Sequence, residues 1–251
     1  MKKLKIAISL ICHNDEVLLK PCLSSLFESD INKHYLKMFC YDNNSNNQMK
    51  ELLSSQTVDK WVYNSEVNDG IVIPRIKIYE EIIKEDFDFL LEIHSDMLFP
   101  KNWFENLYEI FDENTGIIEP HIYQPRSKGT ISLEYFEEVL PTLLKDVKYD
   151  LCRQTHPWLI NLKIVDAVGG YYDPIFSPQE CEDDDFIFRV INNGYKVKST
   201  GMSWVVHYGQ SIRNQVLPSN LTEHIRKFSE KNNIAFNDFV NKFEIHPAYA
   251  Y

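Results

Sequence analysis

Leu4-Lys5-Ile6-Ala7-Ile8-Ser9-Leu10-Ile11-Cys12, followed at once by His13-Asn14-Asp15, is the stretch from which the architecture can be read. A nearly continuous apolar run of this length has the character of a strand covered on both faces, as strands of parallel sheets are. Val17, Leu18, Cys22, Leu23 and Leu26 then recur at helical spacing, so strand and helix form a βα unit. Pro21 inside that helix marks a kink or a late start. The basic Met1–Lys5 segment before the run is not a membrane signal, because the apolar run is too short to span a bilayer and is cut off by polar residues.

Outward from this unit the alternation continues. Residues 38–41 read as a second strand ending at Asp42, followed by the turn-rich Asn43-Asn44-Ser45-Asn46-Asn47 and a short helix over 48–54. A brief strand over 60–63, a helix over 71–84 and a central strand over 87–93 complete the first half. The second half predicts a helix over 100–111, a strand over 116–123, a helix over 132–146 and a strand over 158–162. A helix over 182–193 closed by Gly194, short strands over 196–199 and 204–207, and amphipathic helices after Pro218 follow. The pattern is that of an α/β fold with a mostly parallel sheet flanked by helices, whose ligand chemistry lies at the carboxyl ends of the strands.

Composition bounds the function. Of 251 residues, 37 are Asp or Glu against 26 Lys or Arg, a formal charge of −11, which argues against nucleic acid or anionic lipid as a partner. An anionic ligand would need a divalent cation to offset the repulsion. The cysteines Cys12, Cys22, Cys40, Cys152 and Cys181 are odd in number and lack C-x-x-C spacing, which fits a reducing cytoplasm. No run approaches about 18 apolar residues, so any membrane contact would be peripheral.

Polar groups cluster where chemistry is expected. Asp42, the trio His94-Ser95-Asp96, and His207 each follow an expected strand, and on a parallel sheet those ends could share one rim. Glu180, Glu182, Asp183, Asp184 and Asp185 set five carboxylates in six positions at a helix start. The helix dipole accommodates acids there, but mutual repulsion among five favours a site for the group.

With these residues in order, the chain resembles the family 2 glycosyltransferases of GT-A fold. The resemblance rests on Ile8–Asn14, Asp42–Ser45, His94–Asp96, Gly169–Asp173, Glu182–Phe186 through Asn193–Val197, and Val205–His207, and covers roughly residues 4–209. It implies a nucleotide-binding α/β sandwich that transfers a sugar, hexosyl or N-acetylhexosaminyl, from a nucleotide-diphosphate donor, UDP being the commonest. Transfer proceeds with inversion, with Mn2+ or Mg2+, to a hydroxyl of a glycan, lipid-linked glycan or protein. On this resemblance residues 1–98 form the nucleotide-binding half, 99–210 the acceptor and catalytic half, and 211–251 a helical extension.

The resemblance also assigns roles. Asp42 falls at the nucleoside-binding acid; Ser9 and Asn14 lie in the first-strand loop lining the nucleotide pocket, with His94 and Ser95 beside the donor. Asp96 is the second acid of the D-x-D motif and, with His207, binds the cation. Asp183 and Glu182 are the catalytic pair, Asp183 as general base and Glu182 beside it oriented toward acceptor or metal. Trp158, Gly170 and Asp185 are on the acceptor side, Asp185 and Arg189 also being candidate supports. One departure is that His94 replaces the first D-x-D acid, so His94 serves either as a ligand or structurally. For the same reason the alternative function is a degenerate member that binds a nucleotide sugar or glycan without transferring it. Trp158 has two readings, an acceptor platform or a core tryptophan.

Overall fold

The computed structural model describes residues 2–125, 131–150, 156–209, 220–243 and 249–250. Cys152 and residues 211–219, 244–248 and 251 of the expected extension lie outside them.

The first half runs β1 (Lys5–Cys12), α1 (Glu16–Glu28), β2 (Tyr35–Asp42), α2 (Asn47–Ser55), β3 (Lys60–Asn64), α3 (Val72–Ile82) and β4 (Phe89–Ile93). The second half adds β5 (Met97–Leu98), α4 (Trp103–Tyr108), β6 (Thr115–Tyr123), α5 (Leu133–Leu143), β7 (Lys148–Tyr149), β8 (Trp158–Asn161), α6 (Leu162–Val165), α7 (Glu182–Asn192) and β9 (Lys196–His207). Two helices, Leu221–Asn232 and Phe236–Phe243, and the short strand Tyr249–Ala250 follow.

One mixed sheet organises these elements, in the order β3-β2-β1-β4-β8-β6-β9-β5. β1 pairs in parallel with β2 and β4, and β2 with β3, as the βα alternation predicts. Within the run from β3 to β9, β8 is the exception, running antiparallel between β4 and β6, while the short β5 and β7 pair antiparallel with β9. Because two reversals cancel, β4, β6 and β9 still point the same way, so the carboxyl ends of β1, β2, β4 and β9 lie along one rim.

Alternation along β1 divides the core in two. Ile6, Ile8 and Leu10 join α1, α2 and α4 on one face, through Leu23, Leu53 and Trp103. Ala7 and Ile11 turn to the other face, toward α3 and α7 through Ile78, Phe186 and Val190. Phe228 and Phe239 of the last two helices belong to this second cluster.

Several expected boundaries move. α1 begins at Glu16 and contains Pro21, so proline does not delay its start. The expected helix over 100–111 shrinks to Trp103–Tyr108. The two strands expected over 196–199 and 204–207 are one, which takes up an irregularity against Pro120 of β6. That placement suits a proline, which has no N–H to offer a regular ladder. Among the described residues, no helix is long and apolar enough to cross a membrane.

Candidate active site at the carboxyl rim of the sheet

β2 ends on Asp42, which is fully buried. Its Oδ1 accepts from the Ser45 backbone N–H at 2.9 Å, an Asx-type turn, while Oδ2 has no partner among the described residues. A buried carboxylate oxygen left open costs free energy unless a ligand donates to it, so it fits a nucleoside hydroxyl or ring N–H. Asn14, in the left-handed region at φ 51°, accepts from the Asn46 N–H at 2.8 Å and stitches the β1 and β2 loops together. His13 joins the same seam through Nδ1, 2.7 Å from the Asn43 carbonyl.

Ser9 does not reach this pocket. It sits mid-strand in β1, fully buried, where Arg75 of α3 donates from Nη1 to its Oγ at 2.6 Å. The expectation that it lines the first-strand loop is therefore corrected: Ser9 anchors an arginine beneath the rim.

Two strand ends build a second constellation. β5 pairs antiparallel with β9, setting Met97 opposite His207, and the Tyr208 N–H donates to the Asp96 carbonyl at 3.0 Å. Asp96 Oδ1 thereby lies 3.2 Å from His207 Nε2, and His94 Nδ1 lies 3.4 Å from the same His207 nitrogen. His94, Asp96 and His207 each offer one ligand atom, all within 4.8 Å of one another. Two imidazoles and a carboxylate make a donor set suited to a borderline first-row cation, Mn2+ fitting better than Mg2+. His94 thus stands with Asp96 and His207 within reach of one ion, at the position where the resemblance expects an acid.

Ser95 turns the other way, donating a hydrogen bond to Asp15 Oδ2. Burial, with repulsion from Asp96 and Glu16, pushes the Asp15 carboxyl up to about 7. No motif had singled out Asp15; its position just before α1 reads as an ordinary helix start.

Behind the rim lies a polar knot. Glu92 of β4 is 1% exposed and pairs with Arg75 Nε at 2.8 Å and His156 Nε2 at 2.7 Å. Burial would raise its carboxyl, but Arg75 and His156 outweigh burial and hold it below the usual range. Tyr171 donates to Glu92 Oε2. Glu92, His156 and Asp183 are also close enough to hold a metal. The guanidinium already neutralises Glu92, however, so this group is a closed ion-pair network.

His156 also stacks between two rings, 4.6 Å from His94 and 4.4 Å from Trp158 by centroids. Trp158 is fully buried at the inner end of this column. Its expected acceptor-side role is corrected accordingly: it supports the histidines from below and presents no face to a sugar.

α7 carries the acidic cluster. Glu180 and Cys181, at φ 87° and 63°, are two successive left-handed residues without glycine, a strained entry of the kind found at functional turns. Glu182 and Asp184 are buried, and Asp183 is half-buried with Oδ1 accepting from the Tyr172 hydroxyl at 2.5 Å. Asp185 is fully buried, bound by Arg189 Nε and Lys231 Nζ at 2.9 Å each and by Asn232 Nδ2 at 3.0 Å. It clamps α7 to the Leu221–Asn232 helix, and its buried oxygens face that helix in place of the expected acceptor side. Arg189 extends the clamp, donating to the Gly170 carbonyl at 2.6 Å and to the Val168 carbonyl at 3.0 Å. Gly170 itself, at φ 95°, faces open space where a side chain would project.

This sheet order, with β8 reversed inside the parallel run, matches the GT-A fold. The chain superposes on GalNAc-T7, solved with UDP, GalNAc and Mn2+, at a TM-score of 0.66 and 15% identity, covering 97% of this chain and 57% of that one. It superposes on S. aureus TarS at 0.66 and 14%, covering 96% and 43%, and on TarS 1–349 at 0.65 and 14%, covering 95% and 72%. The chain therefore spans about half the length of the first two proteins. No family model and no curated protein matches the sequence.

Proposed function

We propose that the protein is an inverting, metal-dependent glycosyltransferase that moves a sugar from a nucleotide-diphosphate donor, a UDP-sugar first, to an acceptor hydroxyl. The observation that carries this reading is the shared rim of Asp42, with its open buried oxygen, and the His94–Asp96–His207 triad. The likeness to GalNAc-T7, whose structure holds UDP, GalNAc and Mn2+, supports it.

Asp42 Oδ2 would accept from the nucleoside. His94, Asp96 and His207 would hold the cation, which supplies Lewis-acid neutralisation of the diphosphate charge. Asp183, held by Tyr172 at the start of α7, accepts the acceptor's proton as its oxygen attacks the anomeric carbon. The bond to the nucleotide breaks on the opposite face, and one displacement inverts the centre. Glycans, lipid-linked glycans and proteins are the acceptor classes, the transferred group is a hexosyl or N-acetylhexosaminyl unit, and we place the reaction in the cytoplasm. We further propose residues 1–210 as the catalytic domain and 211–251 as its extension.

The first test is Asp183→Asn. It should abolish transfer while sparing donor binding, and near-normal turnover would overturn the base assignment. Calorimetry with UDP and Mn2+ beside a donor-turnover assay separates an enzyme from a pure binder, which would give heat and release no nucleotide. A thermal-shift screen of nucleotide sugars, with and without Mn2+, identifies the donor, since ligands of the folded state raise apparent stability.

A further inference from the structure

We propose that Tyr172 is the positioning residue for Asp183: its hydroxyl fixes the carboxylate for proton removal and turns to Glu92 once the proton has been taken. The proposal deepens the glycosyltransferase reading and rests on it.

A tyrosine hydroxyl has one proton and here has two carboxylates in reach, Asp183 Oδ1 at 2.5 Å and Glu92 Oε1 at 3.1 Å. Glu92 Oε1 is already served by Arg75 and His156, and Oε2 by Tyr171. Asp183 makes no ion pair among the described residues, His156 standing only within 4.8 Å, so the Tyr172 proton belongs to it in the resting state. When Asp183 accepts the acceptor's proton it no longer needs that donor, and the Tyr172 O–H can rotate to Glu92. The Tyr172 proton never leaves its oxygen: the bond broken is the acceptor O–H and the bond formed is Asp183 O–H.

The frame around Tyr172 suits this task. Tyr171 and Tyr172 stack at 4.4 Å and 9°, one locking Glu92 and the other reaching Asp183. The loop that carries them is tied to α7 by Arg189, which donates to the carbonyls of Gly170 and Tyr171. Base and tyrosine thus move together. Burial, with the charges of Asp183 and Glu92, raises the Tyr172 phenol well above its ordinary value, in keeping with a group that donates a hydrogen bond and keeps its proton.

The test compares Tyr172→Phe with Tyr171→Phe in steady-state kinetics over pH. Tyr172→Phe should lower kcat on the order of 10–100-fold with the donor KM unchanged, and should move the acidic limb of the kcat profile to higher pH, because a hydrogen bond to a carboxylate favours its charged form. Tyr171→Phe should leave that limb in place. Wild-type kcat and an unmoved limb in Tyr172→Phe overturn the proposal. If the phenylalanine variant does not fold, site-specific 3-fluorotyrosine at 172, a stronger donor of equal bulk, should move the limb to lower pH, and an unmoved limb again overturns it. The two readings fail separately: an active Asp183→Asn enzyme removes the base assignment, whereas a dead Asp183→Asn beside an unaltered Tyr172→Phe removes only the positioning role.

Discussion

Met97 lies directly opposite His207 in the short β5–β9 pair, and this one register contact brings Asp96 and His207 together from positions 111 residues apart in sequence. A two-residue strand contributes little stability of its own; its value is the placement of the two ligands.

The triad should therefore behave as a unit. Asp96→Ala or His207→Ala should weaken Mn2+ binding by at least about 10-fold, read by calorimetry or by the electron paramagnetic resonance of free Mn2+. His94→Asp should retain binding and shift the Mn2+ to Mg2+ preference toward Mg2+, because carboxylate replaces imidazole. Unchanged selectivity would remove His94 from the ligand set.

Asp42 makes a separable contribution. Loss of a charged hydrogen bond to the nucleoside in Asp42→Ala should weaken UDP binding roughly 10-fold or more. Mn2+ affinity measured without nucleotide should stay as it was. A fall in both would mean that Asp42 shapes the rim and does not touch the ligand directly.

The Asp15 carboxyl predicts a pH dependence with a definite sign. Its folded value of about 7 lies above the roughly 3.9 of an unfolded aspartate, so the folded state holds the proton more tightly between them. That contribution is complete below about pH 4 and is lost as pH rises through about 7. In metal-free protein, Asp15→Asn should raise the melting temperature by a few degrees at pH 7.5 and leave it unchanged near pH 4. Equal shifts at both pH values would refute the assignment.

Asp185 should matter for stability more than for chemistry. Asp185→Ala takes its carboxylate from Arg189 and leaves Lys231 with Asp173 alone, at a cost on the order of 2–4 kcal/mol, below the fully buried limit because both cations keep some solvent. Denaturant midpoints should fall accordingly. At low temperature, where the variant stays folded, donor affinity should be retained.

Local features are legible in the sequence. β1, β2 and β4 stand out as apolar runs, and Asp42, Asp96 and His207 as polar groups at or just past strand ends. Ser9 misled because periodicity cannot reveal that a polar residue inside a strand has an arginine partner 66 positions away. Glu92 passed unremarked for the same reason, as one acid within an apolar strand. His156 carries no local signal, and its role arises from the reversed β8, whose direction depends on tertiary pairing. In the acidic run at α7, the pattern shows five carboxylates but not their division of labour. Asp183 faces Tyr172, while Asp185 is consumed by a helix that begins 36 residues later.

The ring column from His94 through His156 to Trp158 gives the molecule an optical reporter. Indole emission is quenched by contact with protonated imidazole and by nearby paramagnetic ions, and Trp158 is joined to the rim through two stacked rings. Occupancy at the rim can then be followed as a change in fluorescence of the unlabelled chain, with Trp158→Phe as the control that separates its share from Trp61, Trp103 and Trp204.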